Sequence, residues 1–272
     1  DGSWRIGHCA MAFRLWDCRF PAISTEATMI EVRGLDKWYG SRRALHTVDL
    51  EVPAGSVTAV LGLNGAGKTT LLRLIAGLDR PGAGIVRVCG RDPECGLTST
   101  GVLGVHLGPE SMNPAHTVQR HLSWLAALGG FGPGDVRRVI AVAGIGTHRR
   151  TRIGALSTGS RQRLAIAGAL LGDPRVLMLD EPVNALDVRG VVWLRSLLRD
   201  LAADGRTVLL ASHALGEVAL TADRIVVLEH GRVAVTGVLA ELTAGCEPRR
   251  WLEQKLLDRT GELTPARPGV PR

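Results

Sequence analysis

The run Gly62-Leu63-Asn64-Gly65-Ala66-Gly67-Lys68-Thr69 constrains this chain more than any other part of it. It follows Val57-Thr58-Ala59-Val60-Leu61, which predicts a buried strand. It leads into Lys68 to Ala76, where Leu71, Leu72 and Ile75 recur at helical spacing and Gly77 supplies a stop. Strand, glycine loop and helix in that order are the context G-x-x-x-x-G-K-[ST] requires, and composition alone gives a chance match odds of only about 1 in 200. The residue types follow from the chemistry. Gly62, Gly65 and Gly67 let successive backbone N–H groups, those of Asn64 and Ala66 included, turn toward one anion, and the helix N-terminus adds its positive end. Lys68 is placed to reach the β- and γ-phosphates of a nucleotide and Thr69 to offer its hydroxyl to Mg²⁺, with Thr70 beside it among the binding residues.

A loop that neutralises phosphates neither holds Mg²⁺ nor activates water by itself. Val176-Leu177-Met178-Leu179 predicts a second buried strand that places Asp180 and Glu181 at its C-terminal edge, where open α/β sheets bind ligands. Asp180 is expected in the Mg²⁺ shell, directly or through water, and Glu181 is expected to orient or deprotonate an attacking water. Alone, such an acid pair reads as a helix cap or a solvated turn; opposite a phosphate loop it reads as catalytic.

With 272 residues and 45% apolar composition the chain can bury a large core, which excludes overall disorder. No apolar run approaches the roughly 18 to 20 residues of a membrane span, Leu164 to Leu171 being half that. The net charge is +7, and 30 of the 33 basic residues are Arg, but they are scattered without a block of like charge, so a solvated surface is expected and no specific nucleic-acid partner. The five cysteines, Cys9, Cys18, Cys89, Cys95 and Cys246, contain no C-x-x-C and fit neither a disulfide framework nor a zinc site.

Residues 1–28 lack periodicity and are read as an unstructured extension or a start-site artefact, with the domain running from Met29 to Gly245 and a charged tail over 246–272, loose beyond Thr260. Short β-rich runs at 30–33, 48–52 and 85–88 flank the phosphate loop. Between about 108 and 172 the pattern turns helical, at His121 to Leu128, Asp135 to Ala143 and Leu164 to Leu171, and interrupts the βα alternation as an inserted subdomain. Alternation resumes with a helix over Val188 to Ala203, a strand at Thr207 to Ala211, a helix near Leu215 to Ala222 and a final hairpin of Ile225 to Leu228 with Val233 to Val235.

Between the loop and the acids lies Leu156-Ser157-Thr158-Gly159-Ser160-Arg161-Gln162-Arg163, which resembles the signature segment of ATP-binding cassette (ABC) proteins. The resemblance spans about Met29 to Gly245. It implies an α/β fold: a P-loop NTPase core with a parallel sheet, an N-terminal antiparallel β subdomain and the helical signature subdomain inserted. It also implies roles. Tyr39 stands where an aromatic stacks on adenine, with simple packing as the alternative. Ala185-Leu186-Asp187 resembles the D-loop, although Asp187 is a natural helix cap in any fold. His213, after Ser212, stands where a histidine contacts the γ-phosphate, with a surface histidine after a strand as the alternative. Ser157 and Gly159 are implied to grip the ATP of another cassette, so the resemblance implies a homo- or heterodimer, with ATP and Mg²⁺ as cofactors. A separate transmembrane permease is implied as partner, which places this chain peripherally at the cytoplasmic face of the cell membrane.

Two departures from the family pattern stand out. Thr158 and Ser160 replace the first glycine and the glutamine of the signature, which weakens that grip. Gly108 stands where a Mg²⁺-contacting, transmembrane-coupling glutamine belongs, which predicts slower hydrolysis with water or Glu110 substituting. The leading expectation is a transport ATPase similar to bacterial drug and antibiotic exporters. The alternatives are an ABC ATPase acting on ribosomes or nucleic acid, and a hydrolysis-impaired cassette.

Overall fold

The computed structural model describes residues 27–93, 101–107 and 112–257. Strands β1 (Thr28–Tyr39) and β2 (Arg42–Pro53) form a hairpin whose tip is Gly40-Ser41, with Tyr39 facing Arg42. β3 (Val57–Leu61) leaves for a second sheet and α1 (Lys68–Ile75) follows it. β4 (Ala83–Val88) then returns to pair with β1, completing a three-stranded antiparallel sheet in the order β2-β1-β4. The hairpin strands are each twelve residues long, well beyond the short runs expected. Their outer halves carry charged and exposed residues that a hydrophobic pattern does not report.

The second sheet has six strands. β5 (Leu103–His106) is followed by the helices α2 (Val118–Leu128), α3 (Pro133–Val142) and α4 (Thr158–Ala169). The chain then alternates through β6 (Val176–Asp180), α5 (Val188–Ala203), β7 (Thr207–Ala211), α6 (Leu215–Thr221) and β8 (Arg224–Glu229). β9 (Arg232–Val238) turns back antiparallel on β8, and α7 (Leu239–Leu242) and α8 (Pro248–Leu257) close the described chain. The order is β5-β6-β7-β3-β8-β9, parallel from β5 to β8.

Every residue of β3, β6 and β7 is buried, as expected for parallel strands covered on both faces. The two-residue side-chain period sorts them into two cores. Val57, Ala59, Leu61, Leu177, Leu179, Val208 and Leu210 join the side of α2 to α6, whereas Val60, Met178, Leu209 and Ala211 join the side of α1 and the antiparallel sheet.

The helices begin earlier than their apolar periodicity. Thr117 caps α2 by accepting from the Arg120 amide at 3.2 Å, and the Asp135 carboxylate accepts from the Gly132 amide at 3.0 Å at the start of α3. Ser157 caps α4, seven residues ahead of the first apolar position expected, because Thr158 to Arg163 form a polar first turn and a half. β5 was not expected: four residues containing a glycine become a strand only by pairing with β6. The expected tail starts with an ordered helix, α8, whose Leu252 is buried against the core while Glu247 accepts from the amides of Arg249 and Arg250.

Candidate active site

The phosphate loop joins the C-terminal end of β3 to the N-terminus of α1, between the two cores. Its glycines are required by geometry. A Cβ on Gly62 would lie 2.5 Å from the Leu228 carbonyl oxygen, and one on Gly67, at φ 108°, would lie 2.8 Å from Leu45 Cδ2; Gly65 has φ 82°. Ala66 is buried behind the loop, where its carbonyl accepts from the Gly231 amide. Lys68 is also buried. Its ammonium folds back over the loop and donates to the carbonyl oxygens of Gly62 at 2.7 Å and Leu63 at 3.4 Å.

Parallel pairing brings the acids to this loop. β7 lies between β3 and β6, so Asp180, last in β6, ends level with the loop. Thr69 Oγ1 donates to Asp180 Oδ2 at 2.6 Å across a gap of 111 residues in sequence. Glu181 follows with φ 49°, a left-handed conformation that a non-glycine residue holds only at a cost, its amide anchored on the Ala211 carbonyl at 2.9 Å. Its carboxylate meets His213, two residues past the end of β7: the Nδ1–Oε2 distance is 2.8 Å, and the His213 amide donates to the same oxygen at 3.3 Å. His213 is therefore held on Glu181.

One cleft of about 630 Å³ gathers Tyr39, Asn64, Gly65, Gly67, Lys68, Thr69, Thr70, Asp180 and Glu181. Gly62, Ala66, Ser157, Gly159, Asp187 and His213 are not among the residues lining it. Sequence reading missed Arg42 and Asn184, which also line it, because neither belongs to a motif. It also missed Arg73 and Asp79. Tyr39, at the hairpin tip, donates its hydroxyl to Asp79 Oδ2 at 2.7 Å. Asp79 in turn accepts from Arg73 Nε at 2.8 Å and Arg73 Nη2 at 3.0 Å. The Arg73 guanidinium, aided by the Tyr39 hydroxyl, holds the Asp79 carboxyl down to about 2.

The signature residues form a separate group. Ser157 Oγ accepts from the Ser160 amide at 3.1 Å and bonds the Ser160 hydroxyl at 3.0 Å, so the serine in the glutamine's place closes on the cap. A Cβ on Gly159 would stand 3.1 Å from the carbonyl oxygen of Ala185. Asp187 caps α5, its Oδ1 accepting from the Gly190 amide at 2.7 Å. Gln162 donates to the Pro182 carbonyl and contacts His106 Nε2, both at 3.1 Å, linking α4 to the acid turn and to β5. Gly108 and Glu110 lie outside the described residues.

A family model described as ABC transporter matches residues 45–184. The chain is 34% identical over 228 residues to the Nod factor export ATP-binding protein I of Burkholderia orbicola, spanning 80% of this chain and 74% of that protein. It is 34% identical over 214 residues to the aliphatic sulfonates import ATP-binding protein SsuB 2 of Pseudomonas fluorescens, spanning 76% and 75%. Over 221 residues it is 38% identical to the daunorubicin/doxorubicin resistance ATP-binding protein DrrA of Streptomyces peucetius, spanning 78% and 66%. Among solved structures, the ATP binding subunit of an ABC transporter superposes with a TM-score of 0.75 at 25% identity, covering 84% of this chain and 99% of the other. A dimeric post-hydrolysis ATP-binding cassette bound to ADP and Pi superposes at 0.71 with 25% identity, covering 78% and 99%.

Proposed function

The chain belongs to the ABC transporter family as an ATP-binding cassette, and from that premise we propose that it drives export by closing on a second cassette when ATP binds. It is the ATP-binding subunit of a transporter and an ATPase. The observation that carries the mechanism is the 2.6 Å bond from Thr69 to Asp180, which fixes the phosphate loop opposite the acid turn. These are two oxygen ligands of the kind a small hard cation takes, so the residues fit Mg²⁺, which when bound would draw charge from the β- and γ-phosphate oxygens. The loop amides and Lys68 bind the triphosphate, Lys68 exchanging the Gly62 and Leu63 carbonyls for phosphate oxygens. Glu181 orients the attacking water and takes its proton; His213 positions that carboxylate and, once a γ-phosphate arrives, senses it.

Each site needs a second cassette, homologous or identical. Ser157 and Gly159 stand apart from the chain's own cleft and are free to serve a partner's ATP. Val188, 81% exposed, and Val192, 50% exposed, form an apolar pair one turn apart beside Asp187 that a second cassette would cover. A transmembrane permease on another polypeptide, with this chain at the cytoplasmic face of the membrane, completes the scheme; among the described residues no helix is long and apolar enough to cross a bilayer. Export of drug-like or antibiotic cargo rests on the named roles of the Nod factor and daunorubicin/doxorubicin relatives, while the sulfonate relative names the opposite direction.

The test is ATP-driven transport by the chain assembled with a transmembrane permease that co-purifies with it, assayed in inverted membrane vesicles. Accumulation inside them, lost in Lys68→Ala and Glu181→Gln, is expected; uptake only by right-side-out vesicles would reverse the direction. Glu181→Gln should lower steady-state hydrolysis by at least about 100-fold with nucleotide binding retained, whereas Lys68→Ala should lose binding itself.

A further inference from the structure

Tyr39 is half exposed, with 46% of its surface open to solvent, yet it is tied down at two places. Its hydroxyl donates to Asp79, and Asp79 is clamped by Nε and Nη2 of Arg73. The Lys37 ammonium stands 5.0 Å from the Tyr39 ring centroid and is itself fixed by donating to the Arg80 carbonyl at 2.6 Å. Arg73 is in the last turn of α1, and Asp79 and Arg80 follow in the loop that leads away from it. The helix that starts at the phosphate loop therefore ends in the groups that hold the hairpin tip.

An unrestrained tyrosine at a hairpin tip samples several rotamers, and a base stacking on it must first stop that motion. Freezing such a side chain on binding costs affinity, roughly two- to tenfold. Here the hydroxyl anchor removes the freedom before any ligand arrives. The Lys37 ammonium over the ring adds a cation–π contact to that anchor, and the anchored residue lines the cleft.

We propose that Asp79, braced by Arg73, is a positioning residue for nucleotide binding: it locks the Tyr39 ring in place as a preformed platform for the base. The assignment rests on reading Tyr39 as the base-stacking residue of this site. It acts on the base alone, because phosphate capture belongs to the loop at the opposite end of α1. Asp79 never touches the nucleotide.

The full chain should be titrated calorimetrically with Mg-ADP and, separately, with magnesium tripolyphosphate, which has no base. Asp79→Ala and Tyr39→Phe are each expected to weaken Mg-ADP binding by about 3- to 10-fold, and the double variant by no more than the larger single effect. Tripolyphosphate affinity should stay within about twofold of the parent in all three, an outcome that general damage to α1 would not give. Arg73→Met, which keeps the helix and removes the brace, should reproduce the Asp79→Ala pattern. Should Tyr39→Ala weaken Mg-ADP while Asp79→Ala and Tyr39→Phe leave it unchanged, the positioning role is wrong and the platform stands. Mg-ADP affinity untouched by Tyr39→Ala would remove the platform and the proposal together. Equal losses for both ligands would reduce Asp79 to a structural residue.

Discussion

At the scale of single residues, the site depends on conformations few side chains tolerate and on charges held by short bonds. Glu181 holds a left-handed backbone, and from that conformation its carboxylate meets His213, just past the end of the neighbouring strand. Asp79 makes an electrostatic prediction. Its carboxyl is held at about 2 in the folded chain against an ordinary 3.8, so its contribution to stability is fully present above pH 4 and disappears as pH falls through 2. Denaturation midpoints of the parent and Asp79→Asn should accordingly differ by a constant amount from pH 4 to 8 and converge toward pH 2. A gap that widens on acidification would contradict the assigned ionisation. Motif reading found Lys68, Thr69, Asp180 and Glu181 because each belongs to a short local pattern. It could not find Asp79, which sits 40 residues from Tyr39. The one available signal was an Arg in the last turn of α1 six positions ahead of an Asp.

At the scale of elements, polar caps set the helix starts, and packing across elements makes the short strands. β5 is the clearest case. A Cβ at Gly104 would lie 2.0 Å from the Ala169 carbonyl oxygen and 2.7 Å from Pro174 Cγ, so the glycine is what lets α4 settle against this edge strand. Gly104→Ala is expected to destabilise the fold by about 1–3 kcal/mol, read as a lower urea midpoint at unchanged m-value, through overpacking rather than backbone strain. An unchanged midpoint would mean that the edge strand yields freely. The buried runs of β3, β6 and β7 were legible because parallel strands covered on both faces are continuously apolar, whereas β5 announces itself only through its partner.

At the scale of the whole molecule, the helical insertion is fastened to the core around Trp193. The Trp193 indole N–H donates to the Val142 carbonyl at 2.9 Å. Arg163 of α4 lies 4.2 Å over the Trp193 ring and donates to the Ala143 carbonyl at 3.0 Å. The helix carrying the signature cap is thus held to the end of α3 and to α5, the helix that Asp187 begins. If a second cassette meets this face, Glu181→Gln with Mg-ATP should elute as a dimer in gel filtration. Adding Ser157→Arg, a bulky charge at the start of α4, should return it to monomer. A double variant that still dimerises would place the interface elsewhere.

The amino-acid sequence by itself determined the phosphate loop, the acid pair, the alternation of strands and helices around them and the family they resemble. Each of these is a local pattern in which neighbouring residues constrain one another through backbone geometry. Only the tertiary structure decided that His213 rests on Glu181, that Thr69 meets Asp180 and that Asp79 with Arg73 holds Tyr39. Two of these join segments that only parallel strand pairing brings level, and the third joins a hairpin tip to the loop behind α1. Their partners are chosen by which edges and faces the buried apolar surface forces together.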